Sequence, residues 1–199
     1  MIKNVVVRKP GKNFADGITT SNLGKPDYEK ALKQHEQYIE ALRKCGCNVI
    51  ILDADERYPD STFVEDVAIV TEKCAIITKP GAKSRKGEEK EIINVLKKFY
   101  SNIEFLSGNA CLDGGDILRF ENHFYIGQSK RTNVDDKEAY SANCILINNH
   151  VIVPKGFPNS KKALVDAGYK IVEVEMSEFQ KMDGGLTCLS LRMPVDNSN

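Results

Sequence analysis

The residue best placed to do chemistry is Cys188, within Asp183-Gly184-Gly185-Leu186-Thr187-Cys188-Leu189-Ser190-Leu191-Arg192. A thiol just after a double glycine, opening an apolar alternating segment, is predicted to stand rigidly at a strand end where a substrate can meet it. A second acidic glycine turn, Leu112-Asp113-Gly114-Gly115-Asp116, is its expected chemical partner. A free cysteine is mostly protonated, with a pKa near ~8.5, so its thiolate needs help from a neighbouring cation or base.

The other cysteines, Cys45, Cys47, Cys74, Cys111 and Cys144, show neither a C-x-x-C pair nor a histidine at zinc-finger spacing. Each reads as a small buried apolar residue, and no disulfide framework, metal or cofactor is expected. Lysine plus arginine balances aspartate plus glutamate at 28 each, which argues against nucleic acid or an anionic membrane as the main partner. No apolar stretch approaches the ~20 residues of a membrane helix, and the first residues read as a strand rather than a leader. A cytoplasmic protein is expected, with all 199 residues in a single domain.

The elements that must position these groups follow from periodicity. Asn4–Lys9 reads as a strand, and 10–26, with Gly11, Gly17 and Gly24, as a long mobile loop of the kind that often forms a lid. From Asp27 to Lys44, Tyr28, Leu32, His35, Ile39 and Leu42 share one helical face, which places His35 on the buried side. A β-branched strand follows at Asn48–Asp53. Then a pattern repeats. Val67–Thr71 and Cys74–Thr78 form a hairpin, followed by a basic loop, a helix at Glu88–Phe99 and a strand at Ile103–Leu106. The same order returns with Cys144–Asn148, Val151–Pro154, a helix at Ser160–Ala167 and a strand at Tyr169–Val174. A recurring ββαβ unit implies a repeat architecture in an α/β fold. The middle copy is short. Its hairpin, Asp116–Phe120 with Phe124–Gly127, leads through Val134–Tyr140 straight to the next hairpin. By internal comparison it lacks a helix and at least one strand, out of a full unit on the order of 40–50 residues.

Read together, Phe63-Val64-Glu65-Asp66, Ser84-Arg85, Leu112–Asp116, Ser129-Lys130-Arg131-Thr132-Asn133 and Leu186-Thr187-Cys188 resemble the dimethylarginine dimethylaminohydrolase family. That family is a branch of the guanidino-group-modifying, or amidinotransferase, superfamily. The likeness runs in order over nearly the whole chain. It implies a pseudo-fivefold α/β propeller of ββαβ blades, here lacking about one blade, with the deletion near 133/134. It further implies that Cys188 is the nucleophile and Asp113 the acidic catalytic residue beside the guanidinium. Asp60, Glu65 and Asp66 would line the guanidinium end, and Arg85 and Arg131 would bind the substrate α-carboxylate. Phe63 would pack on the substrate, Gly17 and Ile18 would fall in the lid, and Met182 would present a backbone carbonyl to the ligand.

A carboxylate ring suits a delocalised guanidinium, and paired arginine forks suit a carboxylate. On their own, Glu65 and Asp66 read more readily as a solvated strand end, and Arg85 and Arg131 as ordinary surface charges. The resemblance implies hydrolysis of methylated arginine to citrulline and dimethylamine through a thiouronium on Cys188. It also exposes a departure, because the family carries its catalytic histidine after Arg-Thr-Asn and that stretch is absent here. His123 and His150 fall in hairpin turns and His35 in the first helix, so none replaces it in order. Two alternatives stay open: a catalytically impaired guanidino-binding or regulatory protein, and an arginine deiminase-like hydrolase. The expected partner is a small guanidino compound, with tighter packing, local disorder near Asn133–Tyr140 or a second copy (a homodimer) covering the break.

Overall fold

A computed structural model describes residues 1–106, 114–120, 123–126, 144–166 and 168–195. It opens on a strand with an uninterrupted apolar run. Strand β1 (Ile2–Arg8) buries Val5, Val6 and Val7 completely. Val5 and Val7 enter one core cluster with Phe14, Tyr38, Leu42 and Phe179, whereas Val6 enters a second with Val64, Val67, Ile92 and Leu191. Because successive side chains point to opposite faces, a strand with cores on both sides reads as continuous rather than alternating.

Helix α1 (Tyr28–Lys44) starts where Asp27 caps it, its carboxylate accepting the Lys30 amide at 2.8 Å. This satisfies one of the orphan donors of the first turn. The helix buries Ala31, Gln34, His35, Tyr38, Ile39, Ala41 and Leu42, the face that the spacing predicts. It ends at Gly46, whose φ of 84° is the left-handed conformation that suits glycine. Strand β2 (Asn48–Leu52) then returns parallel to β1.

Strands β3 (Ala68–Val70) and β4 (Ala75–Ile77) pair antiparallel, and helix α2 (Glu89–Leu96) carries the chain to β5 (Ile103–Phe105), parallel to β4. Strands β6 (Ile117–Phe120) and β7 (His123–Ile126) form an antiparallel pair. Strand β8 (Ile145–Ile147) turns into β9 (His150–Pro154), and helix α3 (Pro158–Asp166) leads to β10 (Lys170–Val174), parallel to β9. A short helix α4 (Ser177–Gln180) precedes β11 (Leu191–Pro194), which pairs antiparallel with β1.

Among the described residues, three sheets therefore share one plan: an antiparallel pair, a helical crossover, and a third strand parallel to the second. In the first of them the outer strand, β11, comes from the other end of the chain, which periodicity alone does not reveal. Among the described residues, the fourth sheet consists of β6 and β7. The fold is α/β, with small mixed sheets. No helix among the described residues is long and apolar enough to cross a membrane.

Several expectations shift. The β8–β9 turn is Asn148-Asn149, both with positive φ (47° and 68°), as a two-residue hairpin turn requires. His150 thus opens β9, its Nδ1 3.2 Å from the Asn148 carbonyl, and His123 opens β7 rather than sitting in a turn. Asn148 also ties this sheet to the first, accepting the Ile2 amide at 3.1 Å and donating to the Ile2 and Cys45 carbonyls.

The long loop after β1 is anchored rather than loose. Phe14 is buried against Phe63 and Phe179, Glu56 binds Lys12 and Asn13, and Thr19 and Thr20 reach Lys181 and Asp183. Backbone amides along it donate to carbonyls, carboxylates and hydroxyls, and 22–25 is an exposed stretch. Cys111 and the segment Asn133–Tyr140 lie outside the described residues.

Candidate active site

Three short 3₁₀ turns meet beside the second core cluster: Val64–Val67, Gly114–Asp116 and Thr187–Leu189. The middle of the last is Cys188, so the cysteine stands on a tight turn and not in the strand that the alternation predicts. The strand begins three residues later, at Leu191. The double glycine explains the shift. A Cβ on Gly184 would collide with the Phe63 ring, and the Gly184 amide closes back on the Phe179 carbonyl at 2.8 Å. The chain is thereby folded into turns until Ser190.

Cys188 opens onto a cavity of about 310 Å³ lined by Ile18, Asp60, Phe63, Asp66, Ala82, Arg85, Gly115, Met182, Asp183, Gly184 and Cys188. The expected residues Ile18, Asp60, Phe63, Asp66, Arg85, Met182 and Cys188 are thus brought together from four separate stretches of chain. Glu65 does not line the cavity. Asp113 and Arg131 lie outside the described residues, although Gly115, two positions after Asp113, is on the wall. The sequence reading missed Ala82, Asp183 and Gly184 as lining groups. It also missed two side chains that hold the wall in place, Glu88 and Arg192.

The carboxylates are individually fixed. Asp60 accepts the Ile18 amide with both oxygens, at 3.0 and 3.2 Å. Burial raises its carboxyl above the ordinary value, with Arg85 and the Ile18 amide acting against that. Asp66 holds Arg85 Nη1 through Oδ2 at 2.5 Å and the Gly115 amide through Oδ1 at 3.2 Å. Glu65 accepts Arg192 Nη2 at 2.6 Å.

Arg85 is no solvated surface charge. It is buried, and its Nε and Nη2 grip Glu88 while Nη2 also faces the carbonyls of Asp60 and Phe63. Nη1 carries two hydrogens, of which Asp66 takes one.

The thiol feels the acidic surroundings. Burial, and then the Glu65 and Asp66 carboxylates, push Cys188 up to about 12, against smaller opposing help from the Gly185 backbone and Thr187. Such a shift favours the protonated thiol at neutral pH. A cation entering beside these carboxylates would reverse the balance.

Gly114 fixes how the acidic turns meet. A Cβ there would run into the backbone carbonyl of Glu65, and two backbones cannot move apart without displacing Asp66 as well. Gly114→Ala is expected to lower the unfolding free energy by about 3 kcal/mol, as overpacking does. Gly115→Ala, which meets side chains rather than backbone, Asp66 first and then Glu65, should cost markedly less. Urea unfolding of the two variants checks the order.

The geometry has counterparts among known proteins. A family model for the eukaryotic N,N-dimethylarginine dimethylhydrolases matches residues 19–163. The N(G),N(G)-dimethylarginine dimethylaminohydrolase of Pseudomonas aeruginosa is 36% identical, over 96% of this chain and 100% of its own. The chain belongs to the dimethylarginine dimethylaminohydrolase family. Another member, from Streptomyces coelicolor, is 26% identical over 96% of this chain and 97% of its own.

Among solved structures, a cysteine-to-serine variant of the Pseudomonas aeruginosa dimethylarginine dimethylaminohydrolase in complex with citrulline superposes with a TM-score of 0.92. It is 35% identical, and the match covers 97% of this chain and all of the other. A histidine-to-glycine variant of a dimethylarginine dimethylaminohydrolase, as an adduct with S-methyl-L-thiocitrulline, gives 0.91 at 36% identity, with the same coverage of both chains. The N-terminal domain of the cyanobacterial arginine dihydrolase ArgZ, at 17% identity and a TM-score of 0.81 over 98% of each chain, shares the fold. As a dimethylarginine dimethylaminohydrolase family member this chain is a hydrolase of the dimethylargininase type, and a short one. Its alignment with the Pseudomonas protein spans 253 positions against 199 residues here, so at least 54 positions (253 less 199) face no residue of this chain.

Proposed function

We propose that the cavity binds a methylated arginine and that Cys188 attacks its guanidinium carbon. The observation that carries this is the convergence of Asp60, Asp66, Arg85 and Cys188 on one small cavity. Asp66 and Asp113 accept the guanidinium N–H groups, with Glu65 adding negative charge behind them, and Phe63 packs on the ligand. Arg85, through its second Nη1 hydrogen, and Arg131 take the α-carboxylate. Ile18, in the anchored loop, and the Met182 carbonyl close the other side.

Bound cation offsets the field that keeps the thiol protonated. Sulfur then adds to the guanidinium carbon, and the C–N bond to dimethylamine breaks as that nitrogen takes a proton. A thiouronium on Cys188 remains. Water adding to that carbon expels sulfur as thiol and leaves citrulline.

Both proton transfers suit a histidine, and among the described residues none lines the cavity. We attribute this to loss of about one blade near 133/134 from a single propeller domain. The short interval in sequence between β7, ending at Ile126, and β8, starting at Ile145, and the aligned positions that face no residue of this chain support this reading. Acid/base groups typically contribute ~10²–10⁴-fold in rate. The chain should therefore form the thiouronium and release citrulline slowly.

Intact mass after incubation with dimethylarginine, with citrulline measured alongside, tests this. The expected result is an adduct on Cys188 that outlasts the citrulline signal and is absent from Cys188→Ala. Binding of dimethylarginine with neither adduct nor citrulline would establish instead the second reading, a guanidino-binding protein without turnover, which the thiol held at about 12 favours. Faster adduct formation with unmethylated arginine would point to a deiminase-like preference.

A further inference from the structure

We propose that Arg192 is a positioning residue for Cys188: its guanidinium clamps the turn that carries the sulfur, ties that turn to Glu65, and stands as the protein's own cation beside the thiol. The inference rests on the reading of Cys188 as the nucleophile.

Arg192 Nη1 donates to the Thr187 carbonyl at 2.9 Å, to the Ser190 carbonyl at 3.3 Å and to Ser190 Oγ at 3.2 Å. Thr187 and Ser190 bracket the 3₁₀ turn, so a single nitrogen holds both of its ends. Nη2 crosses to Glu65 at 2.6 Å, 127 positions away in sequence. The network continues inward. Ser190 Oγ lies 2.7 Å from the Tyr38 hydroxyl, which donates to the Leu186 carbonyl at 3.1 Å. Each hydroxyl then donates once: Ser190 to Tyr38, and Tyr38 to Leu186. The cysteine turn is thereby suspended between the buried face of α1 and the acidic turn, with Arg192 as the link.

A clamp alone would not require a charge at this position. Glu65 and Asp66 act on the Cys188 thiol through their charge, and Arg192 is the cation bonded both to Glu65 and to the turn that carries the sulfur. Without the guanidinium, Glu65 and Asp66 would act on the thiol with nothing from this strand to oppose them. In an enclosed site, where screening is weak, removing one cation has a substantial effect.

Iodoacetamide tests this without any turnover. The reagent is neutral, and its rate follows the thiolate fraction. Alkylation of Cys188 in the full chain is followed from pH 8 to 11 by mass analysis of the peptide that carries it, on protein whose near-ultraviolet circular dichroism matches the unaltered chain. Arg192→Gln is expected to slow alkylation about tenfold, and adding Glu65→Gln to it should restore most of the rate. An Arg192→Gln rate equal to or above that of the unaltered chain would overturn the proposal.

Arg192→Lys carries the test if the glutamine variant fails to fold. Lysine keeps its charge to about pH ~10.4 and then loses it, whereas arginine does not. Its rate should track the unaltered chain at pH 8–9 and fall behind at the alkaline end. A variant that keeps pace throughout would also overturn the proposal. Failure of hydrolysis leaves these rates readable, and failure of the Arg192 test leaves the adduct experiment standing.

Discussion

Arg85→Met is expected to destabilise the protein by about 3–5 kcal/mol, the usual cost of removing one partner of a buried ion pair. It should also abolish binding of dimethylarginine. The reason is the company that Arg85 keeps. Its side chain is 8% exposed, between Asp66 at 17% and Glu88 at 3%. Methionine fills much of the space but leaves two carboxylates facing each other, with Asp60 close behind them. Glu88 shows the cost already. Burial raises its carboxyl even though Arg85 pulls it the other way.

The double variant Arg85→Met, Glu88→Leu separates charge from packing. A buried pair replaced on both sides by apolar groups is often neutral or better, so stability should recover to within about 1–2 kcal/mol of the unaltered chain. Binding should not recover, because the proposed contact to the ligand carboxylate is gone. Urea unfolding and calorimetric titration with dimethylarginine read the two effects. A double variant as unstable as the single one would show that Arg85 matters for shape and not for charge.

Much of this was legible in the chain because local chemistry decided it. Asp27 caps α1 where its side chain can reach the Lys30 amide, and the 3.6-residue period placed His35 inside. The hairpin–helix–strand order appeared twice in sequence and returns as mixed sheets. The residues around the cavity were legible through motifs whose order matched a family. What was hidden depended on distance along the chain. Strand β11 completes the sheet of β1, and no local pattern states that pairing. Arg192 looked like one polar residue in an alternating strand, yet its partner Glu65 comes from the opposite half of the molecule. Arg85 is one of 28 basic residues, and composition cannot say which of them is buried. Cys188 stands on a turn and not in the strand that the pattern predicts, because the alternation from Leu189 onward conceals the turn that the glycines impose.

Acid should loosen the same site from behind, in two steps. His35 is buried in α1, and burial first, then Lys9, lower its imidazole from 6.5 to about 4. The unfolded chain therefore takes that proton first as pH falls. Stability is unaffected above pH 6.5, declines between 6.5 and about 4, and levels off below, for a loss of about 3 kcal/mol.

Glu178 follows in a lower window. Burial alone would raise its carboxyl, but Lys181, the Asp27 amide and Lys30 outweigh it and bring the group to about 2. Its contribution is complete above the ordinary value of 4.5 and is lost as pH falls toward 2, again about 3 kcal/mol.

The two groups act at one junction. Phe179, next to Glu178 in α4, packs against the His35 ring with centroids 6.3 Å apart. Its carbonyl receives the amides of Met182 and Gly184, the first links toward Cys188. Urea midpoints measured from pH 8 to pH 3 should show both declines. His35→Phe should erase the first and Glu178→Gln the second. Since α4 holds the approach to the cysteine, dimethylarginine affinity should begin to fall in the His35 window, below pH 6.5. An unchanged decline between pH 6.5 and 4 in His35→Phe would remove the histidine from this account and leave acid sensitivity to the carboxylates alone.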